Sequence, residues 1–582
     1  MADGFLLSIM KRQLPDAEKR DFVSRLSKTN RNSRKNFQLL NKNGIYRMCK
    51  HRFLPVALLT PLLFVNPLLA TEQATESMSL KQAAQAAVLK NPEVLARWHA
   101  FKEADEEIGV ARGGFFPKID LSAGSGRTRV HPASAASAPN GYSSHDRTIS
   151  LRQMLFDGLA TVNEVRRLGK AKLVRYFELL DASENTALEA GRAYLDVIRQ
   201  RRQVYLAEEN YIQHQAALEQ LKRRADSGVG KRVDVDQAAS RLALADVNLV
   251  TTMANLHDVT ARYQRLIGEA PPEVMPPPTQ LANALPNKVD EALRVAFKDN
   301  PALRATIENV EASQFDLQAR RSAFMPRIDF NARREDVHNY LGYQDSYDNT
   351  LLEVRLSYNL FNGGSDLSRH RQYRERKNIA LDQREKSCRD TRQTLVIAYN
   401  DTLRLTEQST YVAQQVELVE KTRNAYRDQF NIGQRTLLDL LNTQNEYFDA
   451  RRAQVNTDID LSLAYLRSYA GMGHLLEKLG LKRLDSENDP PESELTVIDP
   501  GQLCPVLTPG AEPIDREALG RKAKALTENS PTGFVDTKVP TTAPATDNGV
   551  GKVMNNPPAA ASSVRTPVPA PASTVRPPLN KP

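Results

Sequence analysis

Residues that could carry out a reaction are scattered through this sequence rather than grouped. Gly228-Val229-Gly230-Lys231 resembles part of a phosphate-binding loop, but that loop needs glycine in place of Ala225 and a hydroxyl in place of Arg232. A turn between two helices explains the segment better. The histidines lack metal-ligand spacing, and no serine or cysteine lies in a nucleophile-elbow context. The sequence therefore predicts no enzyme and no catalytic, cofactor-binding or metal-binding residue.

The chain instead contains an internal duplication. Asn91-Pro92 returns as Asn300-Pro301, 209 residues later. Leu155-Phe156-Asp157-Gly158 returns as Leu360-Phe361-Asn362-Gly363, 205 residues later. Landmarks in the same order identify two copies of one structural unit, which must fold alike.

Charged residues follow a glycine turn in each copy. Gly228 is followed by Asp234, and Gly433 is followed by Asp439. An aspartate just after a turn is suited to cap the returning helix.

The positive charge is concentrated at the N-terminus. Residues 1–52 hold 13 Lys and Arg against 4 Asp and Glu, which accounts for the formal net charge of +9. The near-neutral body lacks the basic surface of a nucleic-acid-binding protein. A short apolar stretch follows, so residues 48–70 are predicted to be a secretory signal peptide and 1–47 an over-called extension. The remaining Cys388 and Cys504 are far apart and indicate neither a disulfide framework nor a metal site.

Each copy alternates helices with a strand hairpin. Proline is missing from Asp157 to about Ser227 and from about Ser365 to Asn431. At ~1.5 Å per residue, each stretch predicts a helix on the order of 100 Å long. The return helix of the first copy carries apolar residues at alternating steps of three and four, which is a coiled-coil pattern. Between the helices the apolar period becomes two, which predicts two strands per copy.

An exported chain with amphipathic strands and very long helices suggests a membrane channel. Four strands per chain cannot close a barrel, and open edges are not tolerated in lipid. Three chains would supply twelve strands around an open passage. We therefore expect mostly α structure with β: a trimeric twelve-strand outer-membrane β-barrel continuing into a coiled-coil α-helical barrel. The residues expected to face lipid are Ile119, Leu121, Ile149, Leu151, Ile328, Phe330, Val354, Leu356 and Tyr358.

The order of motifs resembles the TolC family of outer-membrane export channels. These motifs are Ser-Leu-x-x-Ala from Ser79, Asn-Pro, Phe-x-Pro, a hairpin, Leu-Phe-x-Gly and the turn Phe430–Leu441. The resemblance covers about residues 79–475 in both halves. It implies a homotrimer in the outer membrane of a Gram-negative bacterium that extends into the periplasm. It also implies docking, through a periplasmic adaptor (membrane fusion) protein, to an inner-membrane ABC-type transporter or another pump.

The resemblance further implies a gated periplasmic entrance at the helix tips. Asp439 matches the family's ring-forming acid, Arg435 its linking basic residue, and Asp234 the partner acid in the first repeat. Asn442 replaces a second ring acid and Phe430 a linking tyrosine, so we expect a less acidic and more weakly latched gate. Three copies of the Asp439 carboxylate near one axis would repel one another and favour cations. Helix capping remains the alternative role.

Several functional interpretations stay open. A passive exit duct of a tripartite exporter is favoured because the chain carries no nucleotide site. Type I protein secretion is preferred over multidrug or small-molecule efflux, because no cysteine for lipid modification follows the predicted cleavage point. The resemblance of residues 79–97 to secretion members supports the same choice. A periplasmic coiled-coil adaptor or structural protein is the alternative of another class.

The domain boundaries follow from the repeats and from composition. The first repeat is placed at 79–268, a Pro-rich linker at 269–287 and the second repeat at 288–475. A Pro/Ala/Thr-rich tail at 485–582 is predicted to be disordered, because it has too little apolar surface to bury.

Overall fold

The computed structural model describes most of the two repeats and part of the C-terminal segment. The described residues are 77–129, 141–278, 281, 285–339, 345–484, 489–497, 499, 503–506 and 514–529. The predicted signal peptide, the 1–47 extension and residues 530–582 lie outside them.

Both repeats contain the same elements in the same order. The first repeat consists of α1 (Leu80–Lys90), α2 (Pro92–Arg112), β1 (Lys118–Thr128), β2 (Tyr142–Phe156), α3 (Ala160–Asp226) and α4 (Arg232–Ile267). The second consists of α5 (Val289–Asp299), α6 (Pro301–Ala319), β3 (Arg327–His338), β4 (Ser346–Ser357), α7 (Ser365–Asn431) and α8 (Leu437–Met472). The short helix α9 (Leu475–Leu479) and the helix α10 (Arg516–Asn529) follow.

Local sequence signals start the helices where the pattern predicted. The Ser79 hydroxyl accepts from the Gln82 backbone N–H at 3.3 Å, and the Gln82 side chain accepts from the Ser79 N–H at 2.7 Å. This capping box begins α1. Asn91 and Asn300 cap α2 and α6, each with proline at the first helical position.

The long helices α3 and α7 organise the chain. Each contains 67 residues, and at ~1.5 Å per residue each is about 100 Å long. Near the sheet, neighbouring helices follow the order α2–α3–α6–α7; at the far end the order is α4–α3–α8–α7. The described helices therefore form a wall with α4 and α7 at its two far-end edges.

An apolar core fills the middle of this wall, and we call it the waist cluster. Both repeats contribute fully buried side chains, among them Tyr194, Leu293, Leu395 and Leu466. The Tyr194 hydroxyl donates to the Met78 and Pro276 carbonyls, at 2.9 and 2.8 Å. Burial of this size is the main stabilising contribution, at roughly 25 cal/mol per Å² of apolar surface.

The four strands form one antiparallel sheet in the order β1-β2-β3-β4. Register pairs Ile119 with Leu151, Leu121 with Ile149, Phe330 with Val354, and Ile328 with Leu356. Leu151 also pairs with Ala332, two residues along β3 from Phe330, so the apolar residues of all four strands share one face. Within the described residues, β1 and β4 are unpaired edges.

Part of the C-terminal segment that was predicted to be disordered packs on the helices, namely the described residues 489–497, 499 and 503–506. Asp489 accepts from the Tyr176 hydroxyl at 2.9 Å. The Thr496 N–H donates at 2.8 Å to Glu308, which is fully buried and also accepts from the Lys170 Nζ at 2.9 Å. We call the described residues between 481 and 506 the C-terminal strap.

The two cysteines form a disulfide, which corrects the sequence interpretation. Cys388 on α7 is bonded to Cys504 in the strap, with their Cα atoms 5.8 Å apart. Arg392, one turn below Cys388, donates to the Pro505 carbonyl at 3.0 Å. Nothing in the sequence indicated this bond, because the two cysteines are 116 residues apart. The strap returns to α7 only after the chain has passed through the rest of α7 and all of α8.

Candidate functional site

The turn between α7 and α8 places the predicted gate residues of the second repeat. Gly433 adopts φ +80°, which reverses the chain, and Thr436 caps α8 by accepting from the Asp439 N–H at 3.2 Å. The Thr436 hydroxyl donates to the Asp439 carboxylate at 2.8 Å. Thr436 is thus the capping residue of α8, and Asp439, the third residue of that helix, supports the cap through its hydrogen bonds with Thr436.

Arg435 makes its contacts within its own helical hairpin, which consists of α7 and α8; the helical hairpin of the first repeat consists of α3 and α4. Its Nε donates to the Gln429 side chain at 3.0 Å, and its guanidinium lies 4.3 Å from the Tyr426 ring centre. Its Nη1 is 3.8 Å from the Asp439 carboxylate, and both side chains are more than one-third exposed. An exposed pair of this kind contributes little to stability, so both charges remain accessible to solvent and to other groups.

The matching turn of the first repeat is built more loosely. Asp234 lies in the first turn of α4 and is half-buried, but no side chain caps that helix. Val229 and Gly230 donate their N–H groups to the Arg224 carbonyl at 3.1 and 2.9 Å. Asp234 is therefore placed as predicted near the tip, without a capping role for its own side chain.

Phe430 lies in an apolar cluster that joins the two hairpins at their tips. Only 7% of its surface is exposed, and the cluster also contains Leu218, Ala238 and Leu441 from three other helices. The Arg224 guanidinium lies 4.9 Å from the Phe430 ring centre. A hydroxyl is missing at this position, but burial and a cation–π contact hold the ring. We call this group the tip cluster.

Asn442 forms a link that sequence reasoning missed. Its side-chain oxygen accepts from the Arg241 Nη2 at 3.1 Å, which connects α8 to α4 of the other repeat. Because asparagine carries no charge, this bond joins the hairpins without adding an acid near their tips. Arg241 gave no signal in the sequence, since its partner is 201 residues away.

Further polar links connect α3 and α8 above this bond. The Arg199 Nη2 donates to Asp460 at 2.6 Å, and the Gln203 Nε2 donates to Asn456 at 2.6 Å. With the Arg241–Asn442 bond they form what we call the polar ladder, whose five rungs are Arg199–Asp460, Gln203–Asn456, Glu209–Arg451, His214–Asn445 and Arg241–Asn442. Hydrogen bonds thus join the two hairpins of one protomer, together with the tip cluster and a small apolar group of Leu206, Ala207 and Phe448.

His214 is the most buried rung of the polar ladder, with 2% of its surface exposed. Its Nε2 lies 3.1 Å from the Asn445 side-chain oxygen, while its buried Nδ1 has no hydrogen-bond partner among the described residues. Burial lowers the pKa of His214, and the nearby Arg241 charge lowers it further; the Asn445 contact acts in the opposite direction. The imidazole is therefore held neutral near pH 7.

The residues predicted to face lipid come together on the apolar face of the sheet. Eight of the nine lie in the strands on that face, and Tyr358 directly follows β4. Ile119, Leu121, Val354 and Leu356 are more than 60% exposed in the single chain. The opposite face is polar and carries Ser150, Arg152, Asn331, Arg333, Glu353 and Arg355.

The described residues contain neither a metal-binding cluster nor an apolar helical span. No group of three or more His, Cys, Asp or Glu side chains could hold a metal ion there. None of the helices in that part of the chain is long and apolar enough to span a bilayer.

Relatives of known function share most of this chain. Outer membrane efflux protein BepC of Brucella suis biovar 1 is 24% identical over 440 residues, which covers 75% of this chain and 93% of BepC. Alkaline protease secretion protein AprF of Pseudomonas aeruginosa is 22% identical over 431 residues, covering 70% and 88%. Outer membrane protein TolC of Escherichia coli K12 is 21% identical over 436 residues, covering 72% and 87%.

Solved structures have the same fold. The outer-membrane channel OprN gives a TM-score of 0.60 at 18% identity and covers 68% of this chain and 89% of its own. The open state of the Neisseria gonorrhoeae MtrE outer membrane channel gives 0.59 at 16% identity, covering 68% and 89%. These likenesses confirm a mostly helical chain with a four-stranded sheet.

The family match spans both repeats. Outer membrane efflux protein sequences match residues 83–269 and 292–473, which together are more than half of the chain. This chain therefore belongs to the outer membrane efflux protein family, and it is an outer-membrane protein rather than an enzyme.

Proposed function

We propose that this chain is the trimeric outer-membrane duct of a tripartite exporter, and that its cargo is a protein secreted by the type I route. The observation that carries the proposal is the sheet, whose apolar face lies opposite a polar face and whose two edges are unpaired. In lipid such edges must be paired, and pairing β1 of one copy with β4 of the next does so.

The helices support the same assembly. At the far end, the edge helix α4 exposes Leu244, Val247 and Val250, and the opposite edge helix α7 exposes Tyr411 and Leu418. Two different complementary edges make a head-to-tail contact, which closes into a ring when the rotation permits. Three copies would supply twelve strands and a continuous wall of helices around one passage.

The tips of the hairpins would form the periplasmic entrance. Asp439 and Arg435 remain partly exposed at the turn, where three copies would meet near the axis. Three carboxylates in a narrow opening would favour cations over anions. The polar ladder and the tip cluster would hold the two helical hairpins of each protomer together at this end.

The cargo proposal has its own support. AprF and the proteases secretion protein PrtF of Dickeya chrysanthemi are named for protein secretion, and the chain covers 88% and 84% of their lengths. BepC is named for efflux, so small-molecule release is the second candidate. In either case a periplasmic adaptor and an inner-membrane ABC-type transporter, or another pump, would supply the energy.

Fractionation tests the duct itself. The full-length chain is expected in outer-membrane extracts as an oligomer that resists SDS until heated, with the mass of three chains. Recovery of a monomer from the soluble periplasm would refute the channel and favour an adaptor or structural protein.

Deletion of the gene separates the two cargo classes. Loss of a large secreted protein from the medium, with unchanged sensitivity to detergents and dyes, is expected for type I secretion. Increased sensitivity with normal protein secretion would overturn that assignment and favour efflux. Complementation with the intact chain is the matched control in both assays.

A further inference from the structure

The C-terminal strap carries α10 to an edge of the protomer. The disulfide fixes Cys504 on Cys388, and the next described element, α10, contacts α7 farther from the sheet. There the Arg516 side chain forms an ion pair with Glu407, and its guanidinium lies 4.9 Å from the Tyr411 ring centre. The C-terminal segment thus contacts α7 at two places, through the covalent bond at Cys388 and through an exposed ion pair at Glu407.

The length of the tether leaves α10 little freedom along α7. Twelve residues separate Cys504 from Arg516, and they can span at most about 40 Å when extended. Cys388 and Tyr411 are 23 residues apart on α7, or about 35 Å. A tether of this length lets α10 reach this level but not the tips of the hairpins.

The contact of α10 is on the outer edge of α7. Leu405 is buried toward α8, and Glu407, two residues later, lies on the opposite side of the helix. Tyr411 is one turn beyond Glu407 on that same side. In the ring proposed above, this side of α7 meets α4 of the next copy.

Among the described residues, nothing covers one apolar side of α10. Leu519 and Leu526 are seven residues apart on one side of α10, and they are 55% and 41% exposed. A basic group accompanies them, formed by Arg521, Lys522 and Lys524. An exposed amphipathic helix beside an open edge is suited to bind a partner surface that is apolar and acidic.

The edge helix α4 offers such a surface at the same height. Tyr411 is 20 residues from the tip end of α7 at Asn431, and Val250 is 18 residues from the tip end of α4 at Arg232, which are about 30 and 27 Å. Around Val250, the α4 residues 244–258 include Asp246 and Asp258 but neither Lys nor Arg. Charge and apolar exposure thus complement those of α10.

From these observations we infer that α10 is a staple between copies, which lies in the seam between its own α7 and α4 of the neighbouring chain. The disulfide acts as its tether and raises the local concentration of α10 at the seam. This inference rests on the ring assembly proposed above and assigns one of its contacts to the C-terminal segment.

Cysteine cross-linking in the full-length chain tests the staple. Leu519→Cys combined with Val250→Cys, with the native disulfide retained, is expected to yield covalent dimers and trimers after oxidation and boiling without reductant. Ala525→Cys with Val250→Cys is the matched control, since Ala525 is turned about 100–120° around α10 from Leu526 and Leu519, and it is expected to remain monomeric after boiling.

A second measurement does not depend on engineered cysteines. Leu519→Asp with Leu526→Asp is expected to lower the temperature at which the oligomer dissociates in SDS, while Ala525→Asp leaves it unchanged. Replacing both native cysteines by serine is expected to reduce the cross-linking yield of the Leu519–Val250 pair, because the tether is lost.

The outcomes separate this inference from the assembly on which it rests. An SDS-resistant oligomer without the Leu519–Val250 link, and with an unchanged dissociation temperature in the aspartate variant, would overturn the staple alone. Cross-links that form only within one chain, or to a different protein, would also overturn it. No oligomer in the unmodified chain would instead refute the proposed function.

Discussion

The two repeats meet through two kinds of contact, an apolar core at the waist cluster and side-chain hydrogen bonds in the polar ladder. At the waist cluster their contact is apolar and buried, and it contains Leu293 and Leu395 of one repeat and Tyr194 of the other. Below it the polar ladder joins the same repeats by hydrogen bonds between side chains, such as Gln203 to Asn456. Breaking an apolar core exposes it to water at full cost, whereas water can replace a hydrogen bond. The waist cluster is therefore suited to hold the repeats together permanently, and the polar ladder is suited to open reversibly.

A truncated side chain should lower the free energy of unfolding more in the waist cluster than in the polar ladder. Leu395→Ala is expected to lower the free energy of unfolding by about 2–5 kcal/mol, because Leu395 is fully buried and its loss leaves a cavity. Gln203→Ala in the polar ladder should cost only about 1 kcal/mol. Urea unfolding of detergent-solubilised protein, followed by circular dichroism, measures both. Equal losses would abolish the contrast between the two junctions.

Removal of ladder rungs should open the entrance rather than unfold the chain. Gln203→Ala combined with Arg241→Ala removes two inter-hairpin hydrogen bonds, worth roughly 2 kcal/mol together. Single-channel conductance in planar bilayers is expected to rise, while the oligomer remains intact. Gln213→Ala, at an exposed position on α3, serves as the control and should leave the conductance unchanged.

The tip of the second repeat allows capping and gating to be separated. Thr436→Ala removes the cap of α8 and should cost about 1 kcal/mol of stability. Asp439→Ala should additionally raise passive conductance and weaken cation preference, because the charge itself is lost. If the two variants give the same single-channel record as the unmodified chain, Asp439 has no role in the gate.

The smallest expected effect is a pH dependence at His214. Its pKa is lowered in the folded chain from an ordinary 6.5, so the unfolded or opened state binds a proton more readily. The stability that His214 contributes is thus present above pH 6.5 and is lost as pH falls below it. Charged or hydrogen-bonding groups facing the ring are Arg241 and Asn445.

Conductance measured between pH 7.5 and 5.5 tests this dependence. We expect a rise on acidification in the unmodified chain and a flatter profile in His214→Gln. His257→Gln, at an exposed position on α4, is the control and should keep the unmodified profile. A profile that His214→Gln does not alter would remove the histidine from the opening step.

Much of the fold could be predicted because its signals are local and periodic. Stretches without proline gave both 67-residue helices, and α7 matches its predicted range of 365–431. The heptad of the return helix was also informative, since its residues Ala238, Ala245, Thr252, Tyr263 and Leu266 are buried. Alternation within the strands placed the predicted apolar residues on one face of the sheet.

What the sequence could not supply was contact between distant segments. No sequence pattern links Arg241 with Asn442, because they lie on helices of different repeats. Their hydrogen bond depends on how the two helical hairpins pack. The same holds for the buried Glu308 and its partner Thr496, which composition placed in a disordered tail. Phe430 was interpreted as a lost hydroxyl, because its apolar neighbours come from helices far away in the chain.

The disulfide between Cys388 and Cys504 has a topological consequence. It closes a covalent loop across 116 residues, and this loop contains the whole lower part of α7, the turn at Gly433 and all of α8. A protease that cuts the chain at this turn would leave both fragments linked until a reductant separates them. Loop closure also restricts the unfolded chain, which by chain-entropy arguments is worth about 4–5 kcal/mol for a loop of this size. In the oxidising periplasm, the disulfide would therefore keep the α7–α8 hairpin in one covalent piece even after a cut in its backbone.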